Sequence, residues 1–268
     1  MGSAHRQHDN SERFGPAVRA KTSRIAAMLL IAASALTHSR PAAAYRPFDL
    51  TDASVADPGE VELEIGPVGS LRSGSSRWWI APALVANFGL HGERELVIEG
   101  KRRSAIGGSA DGPRTSLVDT AVSLKQVLRA GSLQGKSGLS VASECGVLLP
   151  TWHEERGVGA GCSFIGSQQW SAGALHLNGG LTFNRQHHWT RLAGAILEGP
   201  GAWPVRPVAE GWLEREVNGS FTRSTLVGVI WRVNEHLSFD AGARRATTSG
   251  TAVREIRAGL TWAPQFAR

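Results

Sequence analysis

The chain has 268 residues, 19% charged and 41% hydrophobic: enough apolar content for a packed structure and too little charge for a disordered one. Its 32 glycines disfavour an all-helical protein, and its two cysteines are too few for a disulfide scaffold or a four-ligand zinc site. The formal charge of +6 is concentrated at the start, where residues 1–44 hold six Lys/Arg against two acids; the remainder is nearly neutral, so no nucleic-acid partner is expected.

Residues 25–36 form a short apolar run, IAAMLLIAASAL, preceded by Lys21 and Arg24 and followed by Ala42-Ala43-Ala44. A basic flank, a short apolar core and a small-residue exit predict a secretory signal peptide over 1–44, cleaved after Ala44. The run is too short to span a bilayer as a helix. Residues 45–58 lack periodicity and read as an extended periplasmic lead-in or plug.

From Gly59 the pattern has period two. Val61, Leu63 and Ile65 alternate with Glu62 and Glu64; Val141, Cys145 and Val147 alternate with Ala142, Glu144 and Gly146. Leu175, Leu177 and Leu181 alternate with His176, Asn178 and Thr182; Phe239, Ala241 and Ala243 with Asp240 and Arg244; Ile256, Ala258, Leu260 and Trp262 with Glu255, Arg257 and Thr261. Such alternation marks strands with one apolar and one polar face. About twelve segments are separated by turn signals, with long and short connections interleaved. After Ala44 each strand and its connection have roughly 18–19 residues, which suits strands crossing a bilayer.

The polar positions carry mixed charge: Glu62, Glu64, Glu99, Asp119, Lys125, Glu144, His176, Asn178, Glu210, Glu214, Asp240, Arg244, Glu255 and Arg257. In a closed barrel these are the candidate lumen-lining residues. Trp78, Trp79, Trp189, Trp231 and Trp262 lie near run ends, where a membrane interface would place them. The expected fold class is all-β: a closed antiparallel transmembrane β-barrel of about twelve strands over 59–268, with both termini periplasmic. A secreted β-sandwich is the competing fold. Parity is expected to break at bulges in 188–199 and 221–233.

With those residues in view, the chain resembles a family of bacterial outer-membrane β-barrel transporters, the phenol-degradation meta-pathway type. The stretches that carry the likeness include PFDLTDA (47–53), ADPGEVELE (56–64), SLQGKSG (132–138), HLNGGL (176–181), WPVRPVAE (203–210), IWRV (230–233) and RAGLTW (257–262). The resemblance implies the fold and a bacterial outer-membrane location, and it brings no catalytic residue.

Other constellations are weaker. GVGAG (157–161) lacks the strand–turn–helix context of a phosphate loop. His153, Glu154 and Glu155, and the pair His187-His188, read as polar connections rather than metal ligands. Ser163, His176 and Asn178 could be imagined as a hydrolytic set, although only His176 and Asn178 share a face. Lys101-Arg102-Arg103 and Arg244-Arg245 read as solvated strand ends. Cys145 and Cys162 flank a turn near residues 153–154; they form a disulfide if that hairpin is symmetric, or are two separate small side chains. No catalytic, cofactor-binding or metal site is expected. The expected partners are membrane lipid, the barrel-assembly machinery and a small-molecule solute. Passive passage of that solute is the first functional reading; a lipid-acting barrel enzyme and a non-transporting structural or surface-interaction barrel are the alternatives.

Overall fold

The computed structural model describes residues 47–107, 114–153 and 155–264. The segment 1–44, and with it the expected cleavage site, lies outside the described residues, as does Glu154.

Twelve antiparallel strands form one closed barrel: β1 (Val61–Ser73), β2 (Ser76–Leu90), β3 (Arg94–Ala105), β4 (Thr115–Arg129), β5 (Ser140–Leu148), β6 (Gly159–Trp170), β7 (Gly173–Phe183), β8 (Trp189–Glu198), β9 (Val205–Glu216), β10 (Phe221–Arg232), β11 (Leu237–Thr248) and β12 (Thr251–Trp262). Each strand pairs with its chain neighbours, and β1 pairs with β12 from Leu63↔Trp262 to Ser73↔Val253. Closure leaves no open sheet edge, the condition for a sheet to sit in hydrocarbon. A short 3-10 turn, Ser132–Gln134, interrupts the β4–β5 connection.

Period two becomes two faces. Phe164, Leu177, Leu181, Leu213, Val227 and Ile256 point outward and are more than half exposed. Their strand neighbours Ile165, His176, Asn178, Leu226 and Glu255 are buried inside. Outward tryptophans lie toward both ends: Trp170, Trp231 and Trp262 at the end that carries the termini, Trp79 and Trp189 at the other. Trp78 differs from expectation. It faces inward, with the Arg103 guanidinium 5.1 Å above its ring.

Three further details depart from the sequence reading. The breaks in register fall between Ile65 and Val68, Ile80 and Ala83, Glu99 and Lys101, and Val127 and Arg129, while β8 and β10 keep an unbroken ladder. Long and short connections do not interleave: 130–139 lies at the end carrying the termini, and 106–114 and 149–158 lie at the far end. Lys101-Arg102-Arg103 and Arg244-Arg245 lie toward the far ends of their strands but are not uniformly solvated. They lie within β3 and β11, where the pleat sends Lys101, Arg103 and Arg244 inward and Arg102 and Arg245 outward.

Tight turns use residues that tolerate positive φ. Ser249 and Gly250 close the β11–β12 hairpin at φ 47° and 87°, the pair of left-handed conformations that matches strand twist.

Candidate functional site: a charged bore crossed by the lead-in

The pleat and the register place all fourteen polar candidates on the interior face: Glu62 and Glu64 from β1, Glu99 from β3, Asp119 and Lys125 from β4, Glu144 from β5, His176 and Asn178 from β7, Glu210 and Glu214 from β9, Asp240 and Arg244 from β11, and Glu255 and Arg257 from β12. They do not all share one environment. Glu62, Glu64, Lys125, His176, Asn178, Glu210, Asp240, Glu255 and Arg257 are buried. Glu99 and Asp119 remain exposed although they face inward, so they line a water-accessible part of the lumen. There Lys101 Nζ meets Asp119 Oδ2 at 2.8 Å.

The buried set is covered by the chain's own lead-in. Residues 47–58 run across the interior, and successive residues bond to strand after strand. Glu210 Oε2 accepts the backbone N–H groups of Asp49 and Leu50 at 2.8 and 2.9 Å. Asn178 accepts from Thr51 N–H at 3.3 Å and donates to the Thr51 carbonyl at 2.8 Å. Ser167 Oγ accepts from Ala53 N–H at 2.9 Å, and Glu95 Oε2 accepts from Ala56 N–H at 2.6 Å. Lys125 Nζ donates to Thr51 Oγ1 at 3.0 Å and approaches Asp52 at 4.0 Å. An extended segment has no internal ladder, so these wall groups supply the partners that its backbone requires.

Asp49 is the most highly charged anchor. Its carboxylate meets Arg257 Nη1 at 2.8 Å and Arg244 Nε at 3.6 Å, and accepts from Trp212 Nε1 at 3.2 Å. Burial alone would raise its pKa. The neighbouring guanidiniums of Arg257 and Arg244 outweigh that and hold the carboxyl well below the usual carboxylate range. Arg244 also meets Glu255 at 2.9 Å, so the cluster is a linked network. At the segment's start, the fully buried Pro47 lies against β10 and β11, where Cβ atoms on Gly228 and Gly242 would come within 3.2 and 3.3 Å of its ring. Glycine at 242 makes room for the proline, whereas at 228 the nearer obstacle to a side chain is the Ala241 carbonyl oxygen.

The β4–β5 connection supports the same segment from the end that carries the termini. Gln134 Nε2 donates to the Ala53 carbonyl at 2.8 Å, and Leu133 packs against Ala53, Ala142 and Ile165. Ser167, Gln134, Glu95 and Trp212 escaped the sequence reading because nothing local distinguishes them from other polar strand or turn residues. The free polar groups of 47–58 were the available signal, since an apolar bore could not have held them.

The imagined hydrolytic set does not assemble. Ser163 pairs with Gly180, away from His176. The serine beside His176 is Ser167, with Oγ 2.9 Å from Nδ1, and Glu198 Oε1 lies 3.5 Å from Nε2. Ser167 and His176 are buried inside the barrel beneath Ala53, remote from the lipid-facing surface. Cys145 and Cys162 are direct cross-strand partners on the outer face and are joined by a disulfide. In the far connections Arg185 meets Glu155 at 3.2 Å and His188 meets Glu216 at 2.7 Å. Among the described residues no group of His, Cys, Asp and Glu is arranged to hold a metal ion.

Comparison with known proteins finds no matching family model and no matching curated protein. Solved structures are similar. KdgM porin matches with a TM-score of 0.51 at 8% identity, over 77% of this chain and 99% of that one, and so does KdgM porin in complex with disordered oligogalacturonate, with a TM-score of 0.50. The COG4313 outer membrane channel from Pseudomonas putida F1 matches with a TM-score of 0.51 at 12% identity, over 82% of this chain and 100% of that one. At such identities the likeness is one of fold. The chain thus has the closed twelve-stranded barrel architecture found in outer-membrane porins and channels.

Proposed function

We propose that this chain is a bacterial outer-membrane channel for small solutes, narrowed by its own residues 47–58. The observation that carries the reading is the inverted polarity of a sealed barrel: Ile256, Val227 and Phe164 outside, Glu99, Lys101 and Asp119 inside and in contact with water. Only a bilayer makes that arrangement favourable, and only a polar lumen makes it useful for transport. On the same reading the chain is exported with cleavage after Ala44 and inserted by the barrel-assembly machinery.

The interior is richer in acids than in bases. Glu62, Glu64, Glu95, Glu99, Asp119, Glu144, Glu198, Glu210, Glu214, Glu216, Asp240 and Glu255 face Lys101, Arg103, Lys125, Arg206, Arg232, Arg244 and Arg257. Such a bore favours neutral or cationic solutes. An oligogalacturonate, the polyanion named with one KdgM structure, is disfavoured by like-charge repulsion. The lipid-acting alternative is weakened by the seclusion of Ser167 and His176 from the outer surface.

The experiment is planar-bilayer recording of the purified chain beside a variant lacking residues 47–56. Discrete current steps, larger in the deletion variant, are expected. Absence of steps from both proteins, with each shown to be folded and inserted, would overturn the channel reading.

A further inference from the structure

Charge is distributed unequally between the two faces of this barrel. Among the described residues every acid within a strand faces inward, whereas arginines occur on both faces. Two outward arginines, Arg94 and Arg129, sit at the end carrying the termini. At the other end, Arg77, Arg72, Arg254 and Arg245 form one row: Arg72 pairs directly with Arg77 of β2 and with Arg254 of β12, and Arg254 pairs with Arg245 of β11. Around the barrel at the same end, Arg191 of β8 pairs with Arg215 of β9, and Arg223 of β10 follows nearby.

This arrangement is unfavourable in isolation. Directly opposed residues stand about 5 Å apart at Cβ, and like charges there repel. None of the four arginines of the row forms an ion pair with a described acid. Arg72 Nε reaches only the carbonyl of Gly74, at 3.3 Å. Each is among the four residues of its strand nearest the far end, at the depth where an outward arginine is tolerated by a membrane. Two positions deeper the surface becomes apolar, with Ile256 69% and Val227 63% exposed. A cavity of about 600 Å³ has Ser70, Arg72, Arg77, Arg245, Arg254 and Ile256 in its lining. Four guanidinium forks above an apolar floor match an amphiphile with phosphate at its head and acyl chains below.

We propose that the Arg77–Arg72–Arg254–Arg245 row binds the phosphate groups of a phosphorylated lipid in the leaflet that meets the barrel end remote from the termini. The proposal rests on the membrane-barrel reading but not on whether the bore conducts. With periplasmic termini, that leaflet is the outer one. Bound phosphate neutralises the opposed guanidiniums and fixes the depth of the barrel, while the acyl chains lie along Ile256 and Val227.

The full chain is reconstituted in phosphatidylcholine vesicles with and without diphosphoryl lipid A, and lipid retained by the re-solubilised protein is measured by native mass spectrometry. Retention of diphosphoryl lipid A about tenfold above phosphatidylcholine is expected, falling by a similar factor when all four arginines become Gln. The four-lysine variant, which keeps the charge, should retain most of the binding, and Arg94→Gln with Arg129→Gln should leave it unchanged. Equal retention of the two lipids, no loss in the glutamine variant, or full competition by inorganic phosphate would overturn the proposal. If the glutamine variant does not fold, Arg72→Gln with Arg254→Gln provides the same comparison. Failure of the chain to float with vesicles of either composition would instead reject the membrane-barrel reading.

Discussion

Asp49 Oδ1 and Arg257 Nη1 lie 2.8 Å apart although 208 positions separate them in the chain. The contact joins the lead-in to the last strand, and through Arg244 and Glu255 it extends to β11. Asp49→Asn removes the charge and leaves Arg244 and Arg257 with Glu255 as the carboxylate they share. Release of the segment is expected to become easier by about 1–3 kcal/mol. Hydrogen exchange at the Leu50 and Ala53 amides should quicken while the barrel's thermal transition moves little; unchanged exchange at both amides would contradict the anchoring role.

The same contact has a pH signature. A folded-state pKa held below the ordinary value gives stability that is present above the unfolded pKa, about 3.9 for aspartate, and is lost as pH falls through the lower folded value. The Asp49 anchor should therefore hold throughout the neutral range and weaken only below about pH 4. Current recordings during acidification should place the Asp49-dependent rise in conductance there. A rise at pH 5–6 that vanishes in Asp49→Asn would show that the carboxyl is not held low.

Gly242 tests the packing of the segment separately from its charge. A Cβ there lies 3.3 Å from the Pro47 ring and 3.4 Å from the Val227 carbonyl, so alanine nearly fits. Gly242→Leu adds atoms where the proline sits and should displace the start of the segment. Larger conductance in Gly242→Leu than in Gly242→Ala is the expected order, read from single-channel amplitudes.

Lys101 and Asp119 are 28% and 58% exposed, so their pair contributes little to stability, within about 1 kcal/mol. Its effect should be on selectivity. Lys101→Met removes the cation nearest Glu99 and Asp119 and should raise the cation-to-anion permeability ratio severalfold; Asp119→Asn should lower it. Reversal potentials under a salt gradient measure both.

Cys145 and Cys162 close a loop with a sequence separation of 17 on two strands that are already paired in register. Loop-closure entropy sets an upper bound of about 3 kcal/mol on what the bond adds. Cys145→Ser with Cys162→Ser should yield a folded barrel of lower thermal stability, seen as earlier loss of the compact band in a heated-gel assay. Failure of the variant to fold would mean that the bond is required for assembly rather than for stability.

The strand pattern was legible in the sequence because pleat periodicity is local: Glu62 between Val61 and Leu63, or Arg257 between Ile256 and Ala258, needs no distant partner to declare its face. The inward direction of Glu99, Asp119 and Lys125 followed in the same way, once strands were assumed to close into a cylinder in lipid. The symmetric hairpin about residues 153–154 could also be drawn, but not whether Cys145 and Cys162 would bond across it.

Tertiary structure decided what depends on closure. The bulges beside Pro67 and Pro82 were invisible to a count of alternating residues, because register is fixed between strands rather than along them. Ser167 rather than Ser163 lies beside His176 for the same reason: a cross-strand partner is set by the turn between the strands. That Asp49 meets Arg257, and Ala53 meets Ser167 and Gln134, depends on twelve strands surrounding one segment. Between bulges, alternation determines which side chains face the axis, while only the assembled wall determines where the parity shifts and what occupies the axis.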